Sequence, residues 1–512
     1  MAMVNAVEQE TTLRKRIQGR TVWGTRVRGL VATTGAGASL AAMLLTSGCS
    51  GEAELNVDRL GEAVQPPPTI VDARRSLAIT DQPILANFGL QRVLQQLITT
   101  SGVSGISPTT LFNQWWDTQN PKPGLGLGPH CDDVTDAAGY PLVNGYPYTC
   151  RPAPAEGSQA SCDPFAAGSA CAYMPVGLFM RFDLAPADGS NCGEYRIVFA
   201  KTSGRSETQN RNLLIFEAAL GNPHANQGIR GCQKIVRAFA DLSTESDIDQ
   251  RRSELEHIYF DGFDEFDPVV SYQNFGDNAL AAGQVRTNSF IQPDAPRIWS
   301  LREFKLARVC TTTCALRFVP VSDKVNPFGP LFDGTSTQPT PLAFQAAFLA
   351  EVPRLASADP NAIAMHPSDV FNSGQSQASA LVTETNYAVQ FGTTPNAFSA
   401  AIQSTLSGLG SSLTPLDIVQ RAQVTSCAGC HRFSNNASLG NATTWPSSLG
   451  FTHVSERDVD LETLGGVTRF RVSDALTSLL LPHRKQLVED FLNNVPLPSK
   501  PPKEPIGGRW VH

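Results

Sequence analysis

Much of what usually announces a function is missing from this sequence. Its 512 residues contain no G-x-S-x-G elbow, no H-E-x-x-H pair and no P-loop. The chain therefore lacks the nucleophile, the zinc pair and the phosphate cradle of three large enzyme classes. Charged residues amount to 17%, and no basic stripe follows the N-terminal stretch, which excludes the electrostatic footprint of nucleic-acid binding. No heptad is sustained and no internal repeat is visible. The extended run of apolar and small residues from Leu30 to Leu45 is short of the ~20 residues a membrane helix needs.

What is present is concentrated towards the C-terminal end. Cys427-Ala428-Gly429-Cys430-His431 is a C-x-x-C-H pattern. Two thiols one helical turn apart can both reach the vinyl groups of a porphyrin, and the His that follows can supply the proximal imidazole. This is the attachment pattern of c-type haem. Half of a zinc site or a redox dithiol would show the same C-x-x-C. Zinc needs a second ligand pair at similar spacing, and no other C-x-x-C occurs.

A methionine downstream of the motif is absent as well. Beyond the N-terminal stretch only Met174, Met180 and Met365 remain, all upstream, so a His/Met iron is not expected. His453 and His483 lie downstream. His453 sits in the apolar segment Leu449-Gly450-Phe451-Thr452-His453-Val454 and is the expected distal ligand. His483 follows Pro482 at a helix start, where it could ligate or serve as a cap or surface residue, and Met365 and its neighbour His366 rank below it as ligands. Two imidazoles favour Fe(III) more than a His/Met pair does, which sets a lower potential.

The N-terminal stretch does not read as part of a fold. Arg14, Lys15, Arg16, Arg20, Arg26 and Arg28 precede the apolar run, which ends in Leu45-Thr46-Ser47-Gly48-Cys49. This resembles the lipobox of bacterial lipoprotein signal peptides. The resemblance implies removal of residues 1–48, a lipid on Cys49 and, with Ser50 next, an outer-membrane destination. An ordinary secretory signal or a single anchor helix are the alternatives. Because the prefix is basic while the whole chain carries -7, the remainder is strongly acidic, which suits a basic redox partner.

Of 11 Cys, Cys49 and the motif pair leave eight: Cys131, Cys150, Cys162, Cys171, Cys192, Cys232, Cys310 and Cys314. An even number in an exported chain reads as a disulfide framework, although more than a hundred pairings are open. Pairing of sequence neighbours is the simplest expectation: 131–150, 162–171, 192–232 and 310–314.

The expected organisation is α+β with two domains. Residues 49–75, with Gln65-Pro66-Pro67-Pro68, read as a tether, and 76–322 as a disulfide-rich β domain with a helical N-terminal flank. In that flank Ser107-Pro108 opens a helix whose Trp115 and Trp116 fit a core better than a ligand platform. Alternation at Val176, Leu178, Met180, Phe182 and Leu184, and again at Tyr195, Ile197 and Phe199, predicts antiparallel strands packed as a β-sandwich. The acidic stretch Asp261–Asp267 lacks the EF-hand spacing and reads as a solvated turn. A turn-rich linker is expected at 323–340 and a poorly ordered tail at 496–512.

Between them, at 341–495, Thr414-Pro415-Leu416-Asp417 starts a helix running into Cys427, and Leu487, Val488, Phe491 and Leu492 stripe a closing helix. This layout resembles small mono-haem c-type cytochromes, in which such helices pack beside one covalent haem. The resemblance implies an electron carrier with a redox partner protein, tethered to the cell envelope by its N-terminal lipid, with Cys427, Cys430 and His431 holding the cofactor. No catalytic residue stands out. The alternatives are a β domain that binds a surface ligand or partner, with the haem as accessory sensor, or a β-domain oxidoreductase feeding the haem.

Overall fold

A computed structural model describes residues 68–151, 162–290, 298–379 and 383–497. The signal stretch, Cys49, most of the tether and the tail from 498 lie outside them. Eight strands form one antiparallel sheet: β1 (Ala78–Ile79), β2 (Tyr173–Arg181), β3 (Asn191–Lys201), β4 (Asn212–Gly221), β5 (Gln284–Phe290), β6 (Trp299–Cys310), β7 (Cys314–Val321) and β8 (Ser376–Ala378). The first six pair in sequence order, and β6 then pairs with β7 along one part and β8 along another.

Alternating residues give the sheet two different faces. On one, Tyr195, Ile197, Phe199, Leu214 and Phe216 are buried; α1 (Leu90–Ser101) packs on α2 (Pro108–Asp117), whose Trp115 meets Phe216, while Tyr195 meets Phe239. Ser107 caps α2 by accepting from the Thr110 amide, with Pro108 in the first turn. Trp115 of α2 stacks on Phe318 at 4.5 Å and meets Phe216 and Phe304 edge-on. The Trp pair is therefore core. The other face mixes ion pairs with apolar side chains and is also buried.

The expected sandwich is corrected here. The strands join one sheet, and no second large sheet packs on it among the described residues. Period-two alternation reports that a strand face is buried, not what buries it, and here the covers are helical and irregular segments. Val269 and Val270, though apolar, form no strand, and a helical turn follows at Tyr272–Phe275.

The linker region is also more integrated than its composition suggests. From Thr69 onward the described residues form one unit, and Asp323, Asn326, Leu331 and Phe332 within 323–340 are buried. Gly, Pro and Asp mark an absence of regular elements, which is not an absence of contacts. Strand β8 lies beyond that stretch and completes the sheet at Trp299–Leu301. Four disulfides pair sequence neighbours: Cys131–Cys150, Cys162–Cys171, Cys192–Cys232 and Cys310–Cys314. Cys192–Cys232 ties β3 to the start of α3 (Gln233–Asp241). Among the described residues no helix is long and apolar enough to cross a membrane.

Candidate functional site

The C-x-x-C-H segment follows α4 (Pro415–Thr425). Thr414 and Asp417 form a capping box at its start, as the sequence signature requires. At its end Ser426 leaves helical geometry, its hydroxyl accepting from the Gly429 amide at 3.1 Å and donating to the Gln423 carbonyl at 2.8 Å. The chain re-enters a wider helical turn over Gly429–Phe433. A Cβ at Gly429 would overlap the Gln423 carbonyl oxygen, so the bend that presents the two thiols needs glycine there. The Ala428 amide donates to Ser376 Oγ of β8 at 2.9 Å, which fastens the motif to the sheet.

Cys427 and Cys430 are buried and outside any disulfide. Cys427 packs with Trp299, Leu301, Ala378 and Ala428. Burial, then the carboxyl of Asp323, pushes its thiol well above the ordinary range. Cys430 Sγ lies 3.4 Å from His453 Nε2.

His431 is buried, and its Nδ1 is 3.0 Å from the Phe451 carbonyl oxygen. A carbonyl can only accept, so Nδ1 carries the proton and Nε2 keeps its lone pair. A backbone acceptor behind one nitrogen is the usual support of a metal-ligating imidazole. Asn288 of β5 donates to the same carbonyl at 3.0 Å and receives the indole N–H of Trp299. The Trp299 ring lies 5.6 Å from the imidazole, inclined by 30°. Burial holds the His431 pKa down at about 4 against a modest lift from the Phe451 carbonyl, so the ring is neutral near pH 7.

His453 is brought to the same place. Its ring centroid is 4.6 Å from that of His431 at 60°, and its Nδ1 lies 2.8 Å from Ser473 Oγ. An iron ligated by both imidazoles lies between them with its macrocycle, and rings this close leave no such layer. Distal ligation therefore requires His453 to draw back from Cys430 and Ser473. His483, at the start of α5 (Leu481–Leu492), lies near enough to Asp183 to act on its charge and is not part of this cluster. Met365 is buried in the main core.

Beside His431 and His453 is a cavity of about 60 Å³. Its sheet wall includes Val198, Leu213, Ile215 and Leu301, with Arg196, Glu217 and Arg286 at one side. The Asp261–Asp267 turn is elsewhere, with Asp264 paired to Lys234 and Glu265 to His224.

Among the described residues no group of three or more His, Cys, Asp or Glu side chains is placed to hold a metal ion. A haem asks only for two thiols and one imidazole with a free lone pair, and the motif's donors fit that set. Comparison with family models, with curated proteins and with solved structures found no match. The site rests on its own chemistry.

The three motif residues and His453, named from the sequence, lie together in the structure. Asn288, Trp299, Ser473 and the Phe451 carbonyl, which lie beside them, were not singled out from the sequence. Asn288 and Trp299 are more than a hundred positions from the motif and carry no local signature.

Proposed function

We propose that this chain is an exported, lipid-anchored c-type cytochrome that exchanges single electrons with a redox partner protein in the bacterial cell envelope. Its one haem is held through Cys427 and Cys430, with His431 as proximal ligand, and supplies an Fe(III)/Fe(II) couple when bound. One observation carries the reading. In a chain whose other described cysteines are all paired, two buried thiols remain beside an imidazole whose lone pair is left on Nε2.

The protein's own residues each have a task. Phe451 and Asn288 orient the proximal ring. The apolar sheet wall excludes water, which lowers the local dielectric and limits reorganisation. His453 is the nearest second imidazole and would be the residue to offer the iron a second nitrogen. Cys49 anchors the chain to the membrane surface, and the acidic surface draws in a basic partner.

The test is production of the full chain in cells equipped for export and covalent haem attachment. One haem should survive acid–solvent extraction and appear as a mass increment on the peptide spanning 427–431. An unchanged visible spectrum in the Cys427→Ala/Cys430→Ala double variant would overturn the assignment. Low-temperature EPR of the oxidised protein should show low-spin iron with two imidazoles, becoming high-spin in His453→Ala.

A further inference from the structure

The cavity is walled by the sheet, not only by the segment that carries the motif. Cross-strand register puts Arg196 of β3 opposite Glu217 of β4, and Val198 opposite Ile215. All four side chains line the cavity, as does His431. The wall is thus apolar over most of its area and ionic along one edge.

Along that edge Arg196 has binding capacity to spare. It is 8% exposed. One terminal nitrogen donates to Glu194 at 2.6 Å and the other lies 3.2 Å from Glu217. Glu217 is not dependent on it, because Arg286 donates to the other Glu217 oxygen at 2.6 Å. Burial alone would raise Glu194, but Arg196, followed by Lys324 and Arg286, holds it down at about 2. The Nε–H of Arg196 is buried and has no hydrogen-bond partner. A charged donor left unpaired in a dry interior is costly and is rarely tolerated unless something completes it.

An apolar wall, an imidazole with an open lone pair and a buried guanidinium donor together describe a ligand with a flat apolar body and a carboxylate. Haem has this form, with its macrocycle and propionates. Building on the haem reading above, we propose that the sheet face is one wall of the haem crevice and that Arg196 receives a propionate carboxylate through its Nε–H. The β-rich part of the chain is then part of the cofactor site rather than a separate binding module. Arg196 acts as an orienting residue that also sets the charge beside the iron.

The experiment uses the full haem-loaded chain from cells fed 5-aminolevulinate labelled with carbon-13 at its carboxyl, which labels the haem propionates. Redox-difference infrared spectra isolate the labelled bands. In Arg196→Gln a labelled carboxylate band should shift and the midpoint potential should fall, since a cation near the iron favours Fe(II). Arg196→Lys should keep most of the potential but not the band position, because an ammonium cannot reproduce the guanidinium geometry. Val198→Phe, which fills the crevice without touching an ion pair, should move the same band and serves if the Arg196 variants do not fold. Haem-loaded variants with wild-type labelled bands would overturn the propionate assignment while leaving the haem reading intact. Absence of covalent haem from the wild-type chain would instead overturn the haem reading itself.

Discussion

Asn288 and His431 share one acceptor, the backbone carbonyl of Phe451, each at 3.0 Å. Asn288 lies on the sheet and His431 on the motif, so this carbonyl is where the two halves of the site meet. Asn288→Ala should loosen the loop around Phe451 and free the imidazole to turn. The expected cost is about 1–3 kcal/mol in chemical denaturation, the penalty for a broken buried polar network. In haem-loaded protein the low-spin EPR signals should broaden. Unchanged stability and sharp signals would mean that His431 is held by packing alone.

The two motif thiols offer a test that needs no haem. Cys427 and Cys430 are buried, and burial with Asp323 nearby raises the Cys427 thiol well above its ordinary range. The thiolate is the reactive form. Protein made without haem attachment should therefore resist alkylation at pH 8 while folded. Both thiols should react when denaturant unfolds the chain, and intact mass should show them doing so together. Rapid modification of Cys427 under native conditions would contradict its buried placement.

How much of this was legible in the sequence follows from the range of each interaction. The thiols, His431, the α4 capping box and the strand alternation are local patterns, and each appears where the residues put it. The disulfide partners were also near in sequence, so the simplest pairing matched the structure. The single sheet was not legible, because alternation at Tyr195, Ile197 and Phe199 looks the same under a helix as under a second sheet. Nor was Arg196, whose interest lies in contacts to Glu217 and the cavity that only strand register creates. His453 was half legible. Its apolar loop was recognised, but its position against His431 depends on Ser473.

The disulfides should differ in what they contribute. Cys192–Cys232 spans 40 residues and Cys310–Cys314 spans 4. Loop-closure entropy gives about 4 kcal/mol for the first and about 2 kcal/mol for the second. The second also closes a β6–β7 hairpin already held by ladder bonds. Cys192→Ala/Cys232→Ala should therefore lower stability far more than Cys310→Ala/Cys314→Ala, measured by urea denaturation. Equal losses would show that the hairpin bridge does more than close a loop.

Glu384 should give the fold a pH dependence near neutrality. Burial raises its carboxyl to about 7 from an ordinary 4.5, against a small opposing bond from Gln375, and its Oε1 is buried without a hydrogen-bond partner. Between those two values the folded chain keeps a proton that the unfolded chain has released. The resulting stabilisation is complete below about pH 4.5 and is lost as pH rises through 7. Linkage puts the loss on the order of 2–3 kcal/mol. Glu384→Gln keeps an acceptor for Gln375 but cannot ionise. His431, held low by burial, titrates in both proteins, so the quantity to follow is the stability of the wild type minus that of the variant, which should fall from pH 5 to about pH 8. Parallel profiles for the two proteins would show that Glu384 stays ionised in the fold, with its carboxylate satisfied by groups other than Gln375.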